Sequence, residues 1–409
     1  MTAWKTARIE SFCTVGAGGT PSRDSMERYY VGGTIPWVKS GELRETIIHD
    51  TEEHITEAAL GETNVKMVPA GALLLAMYGA NVGRLGTLGV PATTNQAVCH
   101  IIPDPTVAEV RYLFHAMCNQ ASTLIARSVG GAQPNISQGI VKDLTLPLPP
   151  LPEQRRIAEI LDKADALRAQ RRAALAQLDA LSQSIFIDMF GDPATNPKGW
   201  PIAEFGQVCE TRLGKMLDKK RQTGEHRRPY LRNANVQWFR FDLKSLLDMD
   251  FGEDERRVLR LEPGDLLICE GGEPGRAAVW QGELEECYFQ KALHRARPDP
   301  SIASPVYLAW LLWFHVHTGK LSGVTSATIA HLTGEKLAIL PTMLPPPSLQ
   351  REFEKRLGRL ESVARQHRAA LSNLDALFTS LQYRAFRGEL FSSDDRSVPE
   401  DQNESLTTC

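Results

Sequence analysis

The sequence predicts an α+β protein with a pseudo-two-fold internal repeat: two strand-rich domains separated by two long helices that pair as an antiparallel coiled coil. Three observations carry the prediction. Residues Glu153 to Phe190 run without Gly or Pro. The same stretch returns 196 positions later. The chain before and between the copies consists of short apolar runs bounded by turn residues, as buried strands are.

The first helix is expected over 149–191. Ile157, Ile160, Ala164, Leu167, Ala174, Leu178, Leu181 and Ile185 alternate at three and four residues, interrupted by Arg171. Roughly 36 residues at about 1.5 Å each give a rod on the order of 50 Å. Pro149, Pro150 and Pro152 set its start, and Gly191-Asp192-Pro193 ends it. In the copy, Gln154-Arg155 falls on Gln350-Arg351 and Arg172-Ala-Ala-Leu175 on Arg368-Ala-Ala-Leu371. Leu178-Asp-Ala-Leu181 falls on Leu374-Asp-Ala-Leu377. The copied seam reads Phe353, Leu360, His367, Leu374 and Leu377, with His367 in the place of Arg171. A polar residue aligned in both seams is a device that fixes register. The same spacing also suits an ordinary long helix or a homodimer zipper.

The domains then follow in order. Residues 1–148 form the first strand-rich domain, with Gly71-Ala-Leu-Leu-Leu-Ala-Met77 as a buried strand and a helix from Val107 to Ala126. Residues 149–191 are the first rod. Residues 192–344 repeat the plan more loosely: Trp4 aligns with Trp200, Cys13 with Cys209, and Gly83-Arg84 resembles Gly275-Arg276. A helix is expected from about Pro305 to Leu321. Residues 345–391 are the second rod, and 392–409 an acidic, disordered tail.

The formal charge is −3, but the tail contributes −4, leaving +1 for residues 1–391. Lys215 to Arg232 holds seven Lys/Arg against Asp218 and Glu225, an excess suited to phosphate or to a solvated loop. The seven cysteines form no Cys-x-x-Cys pair, which fits a reduced cytoplasm and no zinc site. No apolar run is long enough to span a membrane, and the N-terminus lacks a signal-peptide core.

Catalytic motifs are missing. Gly271-Gly-Glu-Pro-Gly-Arg276 has neither a P-loop ending nor dinucleotide spacing, and reads as a tight turn. His315-Val-His317 lies in an apolar helix whose geometry turns i and i+2 to different faces, so packing is favoured over metal binding. Neither a nucleophile elbow nor a metalloprotease motif is present. The polar loops carry different chemistry: Arg and Lys suit guanine O6/N7, while Asn and Gln suit adenine N6/N7. Candidate DNA-binding residues in the first half are Lys39, Tyr78, Asn81, Arg84, Gln133 and Asn135. In the second half they are Lys215, Arg232, Asn233, Asn235, Arg276, Gln290, Lys291, Thr325 and Ser326. Each loop alone is more simply a surface turn; their recurrence in both halves favours function.

Leu146-Pro-Leu-Pro-Pro-Leu-Pro-Glu-Gln-Arg-Arg-Ile-Ala-Glu-Ile-Leu-Asp-Lys163 resembles the central conserved region of type I restriction-modification specificity subunits. Leu344-Pro-Pro-Pro-Ser-Leu-Gln-Arg351 is similar to its distal copy, with Leu349 in place of Glu153. Ile35-Pro-Trp-Val-Lys-Ser-Gly-Glu-Leu43 and Pro263-Gly-Asp-Leu-Leu-Ile268 are similar to strands of the family's target-recognition domains. The resemblance implies a non-catalytic subunit that reads a bipartite, asymmetric site in double-stranded DNA, one half per domain, with the paired helices as a ruler. It implies docking of two methylation subunits on the helices, and Ile157, Ile160, Leu167, Arg171, Leu178, Leu181, Phe353, Leu360, His367, Leu374 and Leu377 are expected to serve either helix pairing or this docking. It also implies a restriction/translocase partner. S-adenosylmethionine, and Mg/ATP for restriction, then belong to partner subunits, and no cofactor to this chain. Two other classes stay open: a coiled-coil scaffold of another phage-defence complex, and a methyltransferase or nuclease with an unrecognised catalytic site.

Overall fold

The computed structural model describes residues 4–44, 47–127, 135–218, 222–319 and 331–391. The chain forms two compact units, Met1–Arg172 with Ala369–Cys409, and Ala173–Arg368. Each unit therefore contains half of each long helix.

In the first unit, Leu73–Ala76 is buried on both faces because its side chains are apolar throughout. It lies between Val98–Pro103 and Leu85–Leu88 in a five-stranded sheet completed by Cys13–Ala17 and Ile47–Ile48. Ile35–Val38 pairs with His54–Ile55 and, in parallel, with Thr93–Thr94. Thr6–Arg8 pairs with Thr145–Pro147. The expected helix over 107–126 is two helices, Val110–Asn119 and Ala121–Ala126, separated at Gln120.

The second unit repeats this topology with a four-stranded main sheet, which has no strand matching Ile47–Ile48 among the described residues. Leu266–Cys269 lies between Leu293–Pro298 and Ala277–Val279, with Cys209–Leu213 at the edge. Arg227–Leu231 pairs antiparallel with Leu247–Asp250 and parallel with Tyr288–Phe289. Ile202–Glu204 pairs with Pro341–Met343. A further hairpin joins Val236–Gln237 to Arg240–Phe241. The helix Pro305–His317 starts on Ser304, whose hydroxyl accepts from the Tyr307 N–H, with Pro305 in the first turn.

Two glycines explain part of the 196-residue repeat. A Cβ on Gly18 would lie 1.9 Å from the carbonyl oxygen of Thr94, and one on Gly214 would lie 2.4 Å from the carbonyl carbon of Gln290. Both strands pass too close to a neighbouring backbone for any side chain.

The long helices span Leu151–Phe190 and Pro347–Arg387, 40 and 41 residues, or about 60 Å each. Gly191 and Gly388, at φ of 81° and 76°, terminate them. In the first unit the Arg168 Nε donates to Asp375 at 2.6 Å and its guanidinium lies 4.3 Å from the centre of the Phe378 ring. Further along, Arg156 stacks at 4.0 Å on Phe391, so the two helices run antiparallel.

The buried seam corrects the predicted register. It passes through Ile157, Leu161, Ala164, Arg168, Arg171, Leu175, Leu178, Ser182, Phe186 and Met189, all buried or half-buried, so the shift lies at Arg168 and Ser182 while Arg171 and Leu178 stay on the seam. Leu167, Leu181 and Leu377 are 48%, 46% and 49% exposed. The seam carries Arg168 and Ser182 where apolar pattern matching chooses the adjacent leucines. Ile157 and Phe353 are fully buried; Ile160, Arg171, Leu178, Leu360, His367 and Leu374 are half-buried.

Each unit is tied to its helices by the same parts. The buried Gln154 amide accepts from the Glu109 N–H at 2.8 Å and donates to the carbonyls of Val107 and Pro149. Gln350 accepts from the Ser304 N–H and donates to Ile302 and Pro345. The Tyr112 hydroxyl donates to the Pro147 carbonyl and its ring meets Phe386 at 5.8 Å. The Tyr307 hydroxyl donates to the Met343 carbonyl and its ring meets Phe190 at 4.9 Å. The units differ beside these parts. Asp162 accepts from Arg111 at 2.6 Å and pairs with the buried His115 at 2.8 Å. Val306, Gly358 and Trp310 stand at the matching positions, and the second unit closes with an apolar cluster of Phe186, Phe190, Trp310 and Phe353.

Candidate nucleic-acid interface

In the first unit the polar loops gather at one set of strand ends. Tyr78 and Asn135 pair through their backbones as an isolated antiparallel bridge. The hairpin between Leu73–Ala76 and Leu85–Leu88 turns at Gly79 and Gly83, both near φ of +82°, and holds its Arg84 N–H on the Asn81 carbonyl at 3.0 Å. Arg84 and Asn135 are exposed; Tyr78 and Asn81 are half-buried. The side-chain nitrogen of Asn81 lies 4.0 Å from where a Gly41 Cβ would be, which places this hairpin beside the loop after Val38. Lys39 sits in that loop but is already engaged, donating to Glu53 at 2.9 Å and Glu52 at 3.1 Å. The hydrogen bond to Glu53 holds the ammonium above the usual lysine range, and Glu53 is in turn held low by Arg23 and then Lys39. Lys39 is thus ion-paired within its own unit. Gln133 lies outside the described residues.

The second unit assembles its loops in the same way. Lys215 and Gln290 form a parallel bridge, the Lys291 N–H donates to the Lys215 carbonyl, and the Gln290 N–H donates to Leu231. The Asn233 amide donates to the Gly271 carbonyl at 2.8 Å, and Arg276 donates back to the Asn233 carbonyl at 2.9 Å. Thus the candidates near 215, 232–235, 271–276 and 290–291 occupy one surface. Lys291 is exposed; Arg232, Asn233, Arg276 and Gln290 are half-buried. Asn235 is the exception. Its amide is 1% exposed, accepting from the Arg232 N–H and donating to the Asp242 carbonyl, so it frames its own loop and presents nothing to a base. Lys215 likewise donates to the Asp250 carbonyl at 2.6 Å and pairs with Glu255, which fixes it as a structural lysine. Thr325 and Ser326 lie outside the described residues.

Among the described residues no group of His, Cys, Asp and Glu is placed to hold a metal ion, and no helix is long and apolar enough to cross a membrane. His315 belongs to the core, 4% exposed.

Residues 1–177 match the model of the type I restriction modification DNA specificity domain. This part of the chain thus resembles the type I restriction-modification specificity subunits. The chain is 31% identical over 155 residues to the EcoR124I/EcoR124II specificity subunit of Escherichia coli, covering 37% of this chain and 38% of the relative. It is 28% identical over 256 residues to the MjaIX specificity subunit of Methanocaldococcus jannaschii, covering 58% of this chain and 57% of the relative. The matched stretches thus span less than two thirds of either relative. The crystal structure of the type I restriction-modification S subunit from M. genitalium aligns with 94% of this chain and 96% of its own, with a TM-score of 0.57 at 15% identity, a likeness of fold.

The sequence reading leaves out one residue pair of this loop cluster. Trp238 and Glu273 enter the loop cluster of the second unit, with the Trp238 indole N–H donating to Glu273 at 2.9 Å. Extending the Gly83-Arg84 and Gly275-Arg276 correspondence by two residues sets Glu273 against Asn81. The exposed apolar residues of the helices also repeat: Leu167 matches Val363, Leu181 matches Leu377, and Ile187 matches Tyr383, all between 39% and 53% exposed.

Proposed function

We propose that this chain is the DNA-reading, non-catalytic subunit of a type I restriction-modification complex, recognising a bipartite and asymmetric double-stranded site. One half is read by the domain at 1–148 and the other by the domain at 192–344. The helices at 149–191 and 345–391 set the unread gap between the halves and dock two copies of a methylation subunit. A restriction/translocase subunit completes the complex, and S-adenosylmethionine with Mg/ATP is carried by these partners. The observation that supports this reading best is a shared frame with different loops: strand order, the glutamine and tyrosine anchors and the loop arginines Arg84 and Arg276 repeat, while Asn81 gives way to Glu273. A common scaffold presenting different polar groups suits two different half-sites. The recurring apolar residues on the helices suit one partner binding twice.

The test is genome-wide mapping of methylated adenines in the source cell with the chain present and deleted. Loss of one bipartite motif on deletion supports the reading. An unchanged methylome, or methyl transfer by the purified chain alone, contradicts it.

A further inference from the structure

The loop Gly271–Arg276 is built around a carboxylate. Glu273 accepts from the Trp238 indole N–H at 2.9 Å through one oxygen and from Arg276 at 2.8 Å through the other. Its side chain is nevertheless 44% exposed, whereas that of Arg276 is 16% exposed. Arg276 is also tied to the Asn233 carbonyl, so the arginine faces inward and the carboxylate outward. Each carboxylate oxygen keeps lone-pair capacity after these bonds.

Trp238 is held by an unusual turn. Phe239, beside it in the two-residue loop of the hairpin, has φ of 62°, a conformation that side chains rarely adopt. The turn is fixed by the Phe239 N–H donating to the Ala277 carbonyl at 3.0 Å and by its ring stacking on Trp310 at 4.3 Å. A strained turn that aims one indole at one carboxylate is a positioning device.

We propose that Glu273 is a specificity residue of the second unit and accepts a hydrogen bond from the exocyclic amino group of a cytosine in the major groove. The inference rests on the reading of these loops as the DNA-facing surface. The chemistry selects the base. A carboxylate has only acceptors, and adenine N6 is flanked by two acceptors, its own N7 and the O4 of the paired thymine, whereas cytosine N4 is flanked by one, the guanine O6, and on its other side by the apolar C5 edge. A carboxylate near phosphates also needs neutralising, and Arg276, paired with it, supplies that charge. In the first unit the matching loop position holds Asn81, whose amide suits adenine, so the two loops read different bases from one geometry.

The experiment is Glu273→Gln in the full chain assembled with its methylation subunits, read by methylation rates on a randomised-site DNA library. Glutamine donates and accepts, so one position of one half-site shifts from cytosine toward adenine, with on the order of a tenfold loss on the original site. The other half-site and the gap stay unchanged. Trp238→Phe, which keeps the ring and removes the donor, broadens preference at that same position. An unchanged motif and rate for Glu273→Gln overturns the proposal. So does equal loss on all sequences with unaltered melting, which would make Glu273 a general charge device. Absence of any sequence preference in the unsubstituted complex would instead overturn the DNA-recognition reading beneath it.

Discussion

Gln154 and Gln350, 196 positions apart, make matching sets of three hydrogen bonds. Each buried amide accepts one backbone N–H from the start of a helix in its own unit and donates to two carbonyls, one of them in the proline-rich entry to its long helix. No other side chain of that size offers one acceptor and two donors in this arrangement except asparagine, which is one methylene too short. This gives a structural reason for the glutamine to stand in both copies where Glu153 is matched by Leu349.

Replacing Gln154 by Ala leaves a buried N–H and two carbonyls without partners, at a cost of about 2–4 kcal/mol to the first unit. Gln350→Ala should cost the second unit a similar amount. Urea unfolding followed by hydrogen exchange checks this: protection is lost selectively in Met1–Arg172 for one variant and in Ala173–Arg368 for the other. Equal loss in both units for either variant would contradict it.

Asp162 supplies a pH test for the first unit. Burial pushes its carboxyl up, but the hydrogen bonds from His115 and Arg111 outweigh this and hold it at about 2. A depressed carboxyl stabilises the fold above its unfolded value near 3.9, and that stabilisation is lost as pH falls through about 2. Asp162→Asn should therefore destabilise the first unit by about 1 kcal/mol near pH 6, allowing for partial exposure of the carboxylate. The difference from the unsubstituted chain should close between pH 4 and pH 2. A difference constant over that range would deny the ion pairs their role.

Leu167 and Leu377 are exposed in the first unit, and Leu181 and Val363 in the second. Serine at both positions of one unit removes exposed apolar area without touching the core, so melting should change little. On the proposed docking, native mass spectrometry should show the chain falling from two bound methylation subunits to one. Retention of both would place docking elsewhere.

How much of this was legible in the sequence follows from the kind of signal each feature leaves. Leu73–Ala76 and the two long helices show as apolar or helical runs, and the repeat shows because identical residues return at one spacing. The seam register was misread because Arg168 and Ser182 occupy apolar-looking positions of the heptad; a guanidinium stacked on Phe378 and paired with Asp375 buries well, but hydropathy does not score it. Among the loops, Arg84 and Lys291 are exposed as loop chemistry suggests, while Asn235 and Lys215 are consumed by nearby carbonyls. Composition cannot distinguish a polar side chain that faces solvent from one that closes a turn. Glu273 does not stand out in the sequence because Gly271-Gly-Glu-Pro-Gly-Arg276 reads as a tight turn, and its pairing with Trp238 and Arg276 exists only in the fold.

The most direct test of two independent readers on one chain is to exchange residues 1–148 for the matching domain of a relative and map methylated adenines. The account predicts that one half of the recognised site changes while the other half keeps its bases. A change in both halves, or in neither, would contradict it.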